Sequence, residues 1–566
     1  MLGRTADAVQ VLTDRVRARG DAPAVTVVSP DGDRSRSYAE LDAHARSVAR
    51  WLGRRGAAGD RVLLLYSAGL EFAAGLLGCL YAGMVAVPAP LPGHRGQVRR
   101  TGGIAEDAGV SFVLTDARSL PEVTSWTERD LPGVRTLAID LVDAGDWEPV
   151  RADGSTLAVL QYTSGSTAAP KGVMISHGNL LHNAGELARA FRLDGDTRFG
   201  GWIPLYHDMG LFAHLVFPLL YGGSTVLMGQ VAFLKRPHLW LEMISRFGLT
   251  FSAAPNFAFE LCTRRVTDDQ LAGIDLSGWR IAVNGSEPVR ASVLAAFAER
   301  FARAGLRPET LTPAYGMAEA TVFVSGAPER APLVRRADPA ALERFELREA
   351  SGDGDGDRDG GGARELVSCG RVAAGLEVLV VHPETGEALP EGRIGEIWLR
   401  GGSVTSGYWR DAAASAEIFA EPGFLRTGDL GALVDGELYV TGRIKETLVI
   451  RGRNLYPQDI EHEVRRHHAE LSSSVGAAFT VPGEGSDELV VTHEVRGRRV
   501  DVGELAGAVR ETVVREFGVS PARVLLLRPG TVRRTTSGKI ERATMRALFL
   551  AGRLSDARGD DQAPPR

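Results

Sequence analysis

A segment rich in glycine and hydroxyl side chains, YTSGSTAAPKGVMISHGN, occupies residues 162 to 179. It follows an apolar run, TLAVLQ, and its small residues allow backbone N–H groups and hydroxyls to converge on an anion. The spacing of its glycine, lysine and hydroxyl residues differs from that of a Walker P-loop. Taken alone, the segment fits either a serine-rich surface loop or a polyphosphate-binding loop. The candidate phosphate contacts are Thr163, Ser164, Gly165, Ser166, Thr167 and Lys171.

Three other charged residues stand in short motifs that could serve the same chemistry. Glu319, in AYGMAEAT, could help to hold Mg²⁺, because Mg²⁺ in phosphate sites usually takes one or two carboxylates. Asp429, in RTGDLG, could accept hydrogen bonds from ribose hydroxyls, although an aspartate in such a turn could equally cap its own backbone. Lys539, in TTSGKIER, could stabilise developing negative charge, whereas a lysine near a chain terminus is normally a solvated charge.

The elements that must position these residues can be read from the alternation of apolar runs and amphipathic helical segments. The runs that we predict to be buried strands are RVLLLYS, VSFVLTD, TLAVLQYTS, GSTVLMG, LTFSAAP and RIAVNGS. Their alternation with helices predicts an α/β fold with a mostly parallel sheet covered by helices on both faces. Residues 366–441 contain short strand-like runs with tight turns, which predicts a small β-barrel-like subdomain. The residues after Gly442 predict a compact, small α+β unit.

The composition excludes several classes of protein. With 44% hydrophobic and 24% charged residues among 566, it is that of a soluble protein of several domains. The net charge of −6 gives no indication of binding to nucleic acid. Three widely spaced cysteines predict reduced thiols of a cytoplasmic protein. Residues 72–91 form an uncharged run, but its glycines and closing prolines favour a buried helix followed by a strand, so we expect no membrane span.

Taken together, the motifs resemble those of the adenylate-forming superfamily, which includes acyl-CoA synthetases, peptide-synthetase adenylation domains and luciferases. They follow one another in the order typical of that superfamily, and the resemblance covers nearly the whole chain. Besides the segment at 162–179, the motifs are GWIPLYHDMGL (201–211), VNGSEPV (283–289), AYGMAEAT (314–321), RTGDLG (426–431), TGRIKETLVIRGRNLYPQDIE (441–461) and TTSGKIER (535–542).

Within the superfamily, the sequence is most similar to the fatty acyl-AMP ligases. The runs that carry this similarity are LQYTSGST, PLYHDMGL, AEATVFVSG, LVSCGR (366–371) and RGRNLYPQDIE. That subgroup has an additional segment before its LVSCG motif, and residues 327–365 occupy this place. Within it, we expect the Asp/Gly-rich run at 351–363 to be a solvated flexible loop. The sequence departs from the family pattern at Ser286, where alanine is more usual.

The resemblance implies a division into two domains joined by a hinge. The adenylation main domain spans 1–441, with the β-rich subdomain at about 366–441 and the insertion at about 327–365. A hinge at 442–446, with Lys445 in the hinge position, leads to a mobile C-terminal domain at 447–552. We expect residues 553–566 to be a disordered tail.

The resemblance also implies how ATP and Mg²⁺ are bound. The residues of the 163–171 segment hold the β- and γ-phosphates, and Glu319 helps to hold Mg²⁺. Asp429 binds the ribose, and Arg443 reaches the ribose or phosphate region. For Tyr315, packing in the core is an alternative to nucleotide binding. The residues implied to surround the adenine are Gly285, Ser286, Glu287, Pro288, Ala314, Tyr315, Gly316 and Met317.

The remaining implied roles concern the carboxylic acid. Lys539 bridges the carboxylate and the α-phosphate. His207 resembles a residue near the carboxylate and the thioester-forming channel, although a histidine of the core or tunnel wall fits equally. Asp208 leaves open a pairing with an α-amino group, as in amino-acid adenylation. Asn256 and Phe257 are the candidates for the lining of an acyl tunnel.

The predicted enzyme is a fatty acyl-AMP ligase of fatty acid, lipid or polyketide metabolism. It joins a fatty or similar apolar acid to AMP, releases pyrophosphate, and passes the acyl group to the phosphopantetheine thiol of a holo acyl carrier protein. Because only about twenty-five residues follow TTSGKIER, we expect the carrier to act in trans. The alternatives are an acyl-CoA synthetase that uses free CoA, adenylation of an aryl or amino-bearing acid, and a non-catalytic nucleotide-binding scaffold. A scaffold need not keep transition-state residues, yet the chain has Lys171, Glu319, Asp429, Arg443 and Lys539.

Overall fold

A computed structural model describes most of the chain. The described residues are 7–67, 69–93, 95–163, 170–350, 363–420, 422–450, 453–483, 487–496, 500–535 and 538–557. Four of the predicted phosphate contacts, Ser164, Gly165, Ser166 and Thr167, lie outside these ranges. The Asp/Gly-rich run at 351–363 also lies outside them, except for its last residue.

The first sheet carries the polyphosphate segment at one edge. Its parallel strands, in spatial order, are Arg135–Ala138, Phe112–Thr115, Arg61–Leu65, Val85–Ala89 and Leu157–Tyr162. Gly172–Ser176 then pairs antiparallel with Leu157–Tyr162, with Tyr162 opposite Gly172. The strands are leucine- and valine-rich because helices bury both faces of the sheet. The polyphosphate segment therefore connects two hydrogen-bonded neighbours.

The second sheet brings the other motifs together. Its parallel strands, in spatial order, are Leu311–Tyr315, Ile281–Gly285, Phe251–Pro255, Arg198–Gly201, Ser224–Met228 and Pro23–Val28, with Arg34–Ser37 antiparallel at the edge. Three motif residues, Tyr315, Gly285 and Pro255, end adjacent parallel strands. The carboxyl ends of parallel strands meet at one edge of a sheet, where α/β proteins usually bind ligands. The predicted strands and their parallel arrangement are confirmed.

Helices cover the two sheets as the apolar periodicity predicts. The helix Tyr38–Gly53 begins at a capping box in which Ser37 and Glu40 exchange side-chain and backbone hydrogen bonds. The helix Leu70–Tyr81 is buried along its whole length and ends four residues before the strand Val85–Ala89. Within the described ranges, no helix is long and apolar enough to cross a membrane. The other long helices here are Ala8–Arg19, Arg95–Ala108, Leu120–Asp130, His177–Phe191, His238–Phe247, Asn256–Arg265 and Ala291–Phe301.

The β-rich subdomain is continuous with the second sheet. The short strand Ser325–Gly326 pairs with the end of Leu311–Tyr315 and with Arg371–Val372. From there the antiparallel strands are Glu437–Arg443, Phe424–Val434, Gly395–Gly401 and Leu376–Val381. Asp429 and Arg443 are opposite one another on two of these strands, so the strand register itself brings two of the predicted nucleotide contacts together.

The C-terminal unit has a small sheet of its own. The strands Gly476–Val481, Glu488–Glu494 and Arg523–Leu527 are covered by the helices Pro457–His467, Val502–Phe517 and Arg542–Leu550. Its buried apolar residues form clusters separate from the main core. The prediction of a disordered tail from residue 553 is wrong for its first residues. Leu554 packs into one of these clusters, because it is an apolar side chain that can be buried although the stretch is mostly polar. The Ala557 N–H donates a hydrogen bond to the Leu526 carbonyl.

The segment at 327–365 lies between the main domain and the C-terminal unit. Its strand Val334–Ala337 pairs with Arg364–Val367, and a short helix, Pro339–Glu343, lies between them. The Glu343 carboxylate accepts hydrogen bonds from Nε and Nη2 of Arg453, at 3.0 and 2.6 Å. Arg364 forms an ion pair of 2.8 Å with Asp459. Arg453 and Asp459 both belong to the C-terminal unit, so two ion pairs connect the insertion to that unit.

Candidate active site

A cavity of about 1640 Å³ lies between the main domain and the C-terminal unit. Its walls come from the carboxyl ends of the second sheet, the β-rich subdomain, the insertion and the C-terminal unit. The predicted site residues that line it are Asn256, Phe257, Ser286, Glu287, Pro288, Ala314, Tyr315, Gly316, Asp429, Arg443 and Lys539. Sequence motifs separated by up to 283 residues, from Asn256 to Lys539, thus share one cavity.

Asp429 is the centre of a hydrogen-bonded group in the β-rich wall. Its Oδ2 accepts a hydrogen bond of 2.6 Å from the Tyr315 hydroxyl, and its Oδ1 accepts one of 2.8 Å from Nε of Arg443. The Asp429 charge raises the pKa of the Arg443 guanidinium. Burial is the main cause that raises the pKa of the Tyr315 phenol, and the Asp429 charge raises it further. Asp429 is 4% exposed. A carboxylate oriented in this way is an acceptor that can bind ribose hydroxyls.

Glu319 and Lys171 meet at a tyrosine that the sequence analysis did not single out. The Tyr408 hydroxyl donates a 2.8 Å hydrogen bond to Oε1 of Glu319, and Nζ of Lys171 lies 4.9 Å from the centre of the Tyr408 ring. Burial raises the pKa of the Glu319 carboxyl, although the Tyr408 hydrogen bond opposes this shift. The arrangement holds a carboxylate and a cation next to the polyphosphate segment.

Lys539 lies on a tight turn of the C-terminal unit. The Thr535 N–H donates to the Lys539 carbonyl at 2.8 Å, and Gly538 has a φ of +91°, which glycine adopts without strain. A β-carbon at Gly538 would lie 3.9 Å from the Phe257 ring, so the turn faces the main domain.

The Lys539 amine, in the C-terminal unit, interacts electrostatically with charged groups outside that unit. Burial lowers the pKa of its amine, the nearby Arg443 charge lowers it further, and Asp208, Asp429 and Glu287 oppose the decrease. The amine is therefore close enough to Asp208 and to three charged groups that line the cavity, Arg443, Asp429 and Glu287, for their charges to affect its pKa.

His207 and Asp208 form a close pair in the middle of the PLYHDMGL motif. Nδ1 of His207 lies 2.6 Å from Oδ1 of Asp208, which also accepts the Met209 N–H at 2.7 Å. Burial would raise the pKa of the Asp208 carboxyl, but His207, Lys539 and the Met209 N–H together lower it. Because its Oδ1 already has His207 Nδ1 and the Met209 N–H as partners, Asp208 is poorly placed to receive an α-amino group. Met209 begins a π-helical segment, Met209–Val216, a form often found at functional sites.

The residues predicted to surround adenine follow two parallel strands. Ser286 has a φ of +68°, which is uncommon for a residue with a β-carbon, and its Oγ lies 3.8 Å from Sδ of Met209. Gly285 approaches the Ala314 carbonyl, where a β-carbon would lie at 2.9 Å. Gly316 makes a similar close approach to the Val322 carbonyl.

Two further predicted adenine contacts have their own partners. Oε1 of Glu287 accepts the Phe257 N–H at 2.5 Å, and burial raises the pKa of its carboxyl. The sulfur of Met317 lies 3.7 Å from the Tyr315 hydroxyl. The Glu287 contact joins the chain just after the strand Ile281–Gly285 to the chain just after Phe251–Pro255, whereas the Met317 contact is local to the end of Leu311–Tyr315.

The predicted acyl lining divides into two different environments. Oδ1 of Asn256 is occupied by Nδ2 of Asn284 at 3.3 Å and by the Arg290 N–H at 3.2 Å. Phe257 packs edge-on against Trp202, with ring centres 5.9 Å apart, and Trp202 stacks on Phe233 at 3.9 Å. Phe257 therefore belongs to an aromatic wall, whereas the Asn256 side chain connects backbone segments.

Lys445 lies at the junction between the two domains. It is exposed, in the single turn Ile444–Glu446 that follows the strand Glu437–Arg443. The next residue, Glu446, accepts a 2.5 Å hydrogen bond from Nη1 of Arg542, three positions after the candidate catalytic lysine. Nη2 of the same guanidinium binds Glu461 at 2.8 Å. The Lys539 turn and the junction are thus connected through one arginine.

The sequence analysis missed two polar residues next to the site. Tyr408 is in the run SGYWR, where an aromatic pair after glycine was the only signal. Arg100 is in a basic run, QVRRTGG, after a proline-rich turn, and its Nη2 donates to the Thr163 carbonyl at 3.2 Å. Neither contact is local in sequence, so no spacing pattern could indicate it.

Comparisons with known proteins agree with this arrangement. The model of the AMP-binding enzyme family matches residues 12–409. The medium-chain-fatty-acid–[acyl-carrier-protein] ligase JamA of Moorena producens is 41% identical over 92% of this chain and 90% of its own. The 4-hydroxyphenylalkanoate adenylyltransferase of Mycobacterium tuberculosis is 36% identical over 90% of this chain and 86% of its own.

Solved structures show the same similarity in three dimensions. One structure from work on the fatty acyl-adenylate ligases of E. coli and L. pneumophila superposes with a TM-score of 0.87 at 33% identity, covering 96% of this chain and 97% of that one. The L. pneumophila ligase in complex with acyl adenylate and pyrophosphate gives a TM-score of 0.75 at 32% identity, with 97% of both chains covered. The matched family model and the identities over nearly the full length lead to one conclusion: the chain belongs to the AMP-binding enzyme family, in its group of fatty acyl-AMP ligases.

Proposed function

We propose that this protein converts a fatty or similar apolar carboxylic acid and ATP to acyl-AMP and pyrophosphate. It then transfers the acyl group to the thiol of a holo acyl carrier protein, with formation of a thioester and release of AMP. The observation that carries the proposal is the position of Lys539, from the C-terminal unit, in one cavity with Asp429 and Arg443, with the Asp208 charge near enough to affect its pKa. A scaffold that only binds a nucleotide would not need a cation from a second domain at this position.

The first step is an attack of a carboxylate oxygen on the α-phosphorus of ATP. The new bond joins this oxygen to phosphorus, and the bond between the α-phosphorus and the bridging oxygen breaks to release pyrophosphate. Two anions must approach one another, so the site has to supply cations and oriented donors. In the proposed mechanism, Lys539 bridges the carboxylate and the α-phosphate. Asp429 holds the ribose, and Arg443 holds the adjoining phosphate.

The proposed metal is Mg²⁺, bound by Glu319 together with phosphate oxygens of ATP. The Tyr408 hydroxyl occupies Oε1 of Glu319. One hard carboxylate beside a phosphate site suits Mg²⁺, which usually keeps several waters and takes few protein ligands. Within the described ranges, no cluster of three His, Cys, Asp or Glu residues forms a metal site. When bound, Mg²⁺ would neutralise charge on the phosphates.

The proposed substrate class rests on the aromatic wall and on the relatives. Phe257 lines the cavity and offers an apolar surface to an acyl chain, and the buried rings of Trp202 and Phe233 support it. The two relatives are named for medium-chain fatty acids and for 4-hydroxyphenylalkanoates. We infer an acid with an alkyl chain next to the carboxylate, and an aryl group at the far end is an alternative that the second relative supports. The pairing of Asp208 with His207 disfavours an amino acid.

The preference for a carrier protein over CoA is supported by the insertion. We propose that acyl transfer follows a rotation of the C-terminal domain about Lys445. Two ion pairs, from Glu343 to Arg453 and from Arg364 to Asp459, resist such a rotation. We propose that docking of a carrier on the C-terminal domain offsets this restraint, whereas CoA does not.

The cellular location is proposed from the cysteines. Cys79, Cys262 and Cys369 are all buried and free, and burial raises the pKa of each thiol, which favours the unreactive protonated form. Free thiols are typical of proteins of the cytoplasm.

A panel of acids in the ATP–pyrophosphate exchange assay tests the proposed activity. The panel contains saturated acids of increasing length, 4-hydroxyphenylalkanoic acids and amino acids of similar size. We expect exchange with apolar acids, an acyl-adenylate of the matching mass, and no exchange with amino acids. Absence of exchange with every apolar or aryl acid, in protein that binds ATP, would overturn the proposal.

A further inference from the structure

One face of the helix Arg95–Ala108 lies against both ends of the polyphosphate segment. Nη2 of Arg100 donates to the Thr163 carbonyl at 3.2 Å, and the Tyr162 hydroxyl donates to Asp107 at 2.5 Å. A β-carbon at Gly103 would lie 3.3 Å from Cγ of Pro170. Positions 100, 103 and 107 are on the same side of a helix. This face of the helix therefore contacts the segment at Tyr162 and Thr163 and again at Pro170.

Arg100 brings a cation to this face without a matching anion. Its Nε is buried and has no hydrogen-bond partner in the part of the chain that the structure describes. No carboxylate among the described residues lies within ion-pair distance of its guanidinium. Burial lowers the pKa of Arg100, and the more distant Tyr206 and Glu541 only partly offset this. A buried guanidinium with an unused N–H is costly unless an anion binds it, and phosphate oxygens match its geometry.

We propose that Arg100 binds the pyrophosphate end of ATP and of the released pyrophosphate, as a further phosphate-binding residue of this enzyme. The inference rests on the proposed function, because it concerns the leaving group of that reaction. As the bond between the α-phosphorus and the bridging oxygen breaks, negative charge moves to pyrophosphate. The guanidinium next to Thr163 stabilises that charge. Arg100 thus acts on the leaving group, whereas Lys539 acts on the carboxylate and α-phosphate.

The experiment measures the KM for pyrophosphate in ATP–pyrophosphate exchange, with the best acid of the panel. Arg100→Gln removes the charge and keeps a polar amide group. We expect it to raise the KM for pyrophosphate about tenfold or more, as the loss of a charge-assisted hydrogen bond does, with the KM for the acid unchanged. Arg100→Lys keeps the charge but lacks the planar set of N–H donors of the guanidinium, so we expect an intermediate KM for pyrophosphate. Arg99→Gln, an exposed neighbour on the same helix, is the matched control.

A second measurement separates this inference from the proposed function. Binding of magnesium pyrophosphate to the full-length protein, followed by calorimetry, needs no acid and no turnover. Weaker binding by Arg100→Gln than by the wild type and Arg99→Gln would support the inference even if no acid of the panel reacts. A KM for pyrophosphate that equals the wild-type value in Arg100→Lys and Arg100→Gln would overturn it, as would a rise confined to the KM for the acid. If Arg100→Gln does not fold, the Arg100→Lys result decides.

Discussion

Replacement of Glu343 by glutamine removes the charge from the insertion's contact with Arg453. In the native protein the two groups form a bidentate pair at 3.0 and 2.6 Å, and their side chains are 27% and 36% exposed. The Glu343 carbonyl also accepts a hydrogen bond of 3.0 Å from Nδ2 of Asn454, which the substitution leaves in place. The change therefore weakens the connection between the insertion and the C-terminal unit without removing it.

The expected size of the effect follows from the exposure of the pair. A partly exposed ion pair contributes about 0.5–1 kcal/mol. Glu343→Gln alone should therefore increase the fraction of molecules whose C-terminal domain has rotated about two- to fivefold. Arg364 forms the second pair, at 2.8 Å, with side chains 21% and 18% exposed. The double variant Glu343→Gln/Arg364→Gln should approach a tenfold increase, because about 1.4 kcal/mol corresponds to a factor of ten.

The assay is the initial rate of acyl-CoA formation from acid, ATP and free CoA. We expect this rate to rise in the single variant and to rise further in the double variant, with pyrophosphate exchange within about twofold of wild type, as expected for surface changes. Glu349→Gln is the control, because Glu349 is also in the insertion but its 3.7 Å pair is with Arg335, away from the C-terminal unit. An unchanged acyl-CoA rate in the double variant would show that the ion pairs do not restrain the rotation.

Three further predictions concern the catalytic lysine, the hinge and pH. Lys539→Ala should reduce kcat for adenylation by several orders of magnitude with little change in the KM for ATP, and near-normal pyrophosphate exchange would contradict this. Lys445→Pro should impair one half-reaction far more than the other, since proline fixes φ; single-turnover assays that show equal losses would refute a hinge there. Burial lowers the pKa of Lys539 below 10.5, and the cation is the active form. As the solution is made more alkaline, kcat/KM should therefore begin to fall before the pH reaches 10.5. Burial raises the pKa of Glu319 above 4.5, and the anion is the active form, so kcat/KM should begin to fall at a pH still above 4.5 as the solution is made more acidic. A pH profile without either displacement would count against these assignments.

The sequence predicts the fold well because its strands are continuous apolar runs. Each run from RVLLLYS to RIAVNGS forms a strand with parallel neighbours, since a strand buried on both faces needs apolar residues throughout. The pairing of Asp429 with Arg443 could not be predicted from residue type. It depends on the register of two antiparallel strands, which places these residues opposite one another.

Other parts of the site depend on contacts between distant segments. Tyr408 bonds Glu319 across 89 residues, and Arg100 bonds Thr163 across 63. No periodicity connects such pairs, so sequence patterns identify the charged members of a motif and miss their partners. Backbone conformation is a second limit. Ser286 occupies a left-handed conformation although its type gives no sign of it, because the adjoining strand ends impose that geometry.

The central claim is that the acyl group leaves acyl-AMP for a carrier protein rather than for CoA. The most direct measurement gives the intact enzyme a cognate holo acyl carrier protein and free CoA at equal concentration, with ATP, Mg²⁺ and the best acid of the panel. Initial yields of the two thioesters are then compared by mass spectrometry. We predict that the acylated carrier protein accumulates with little acyl-CoA, because in the proposed mechanism the ion pairs of Glu343 and Arg364 restrain the C-terminal domain until a carrier docks. Acylation of CoA as fast as that of the carrier would contradict the claim and identify the protein as an acyl-CoA synthetase.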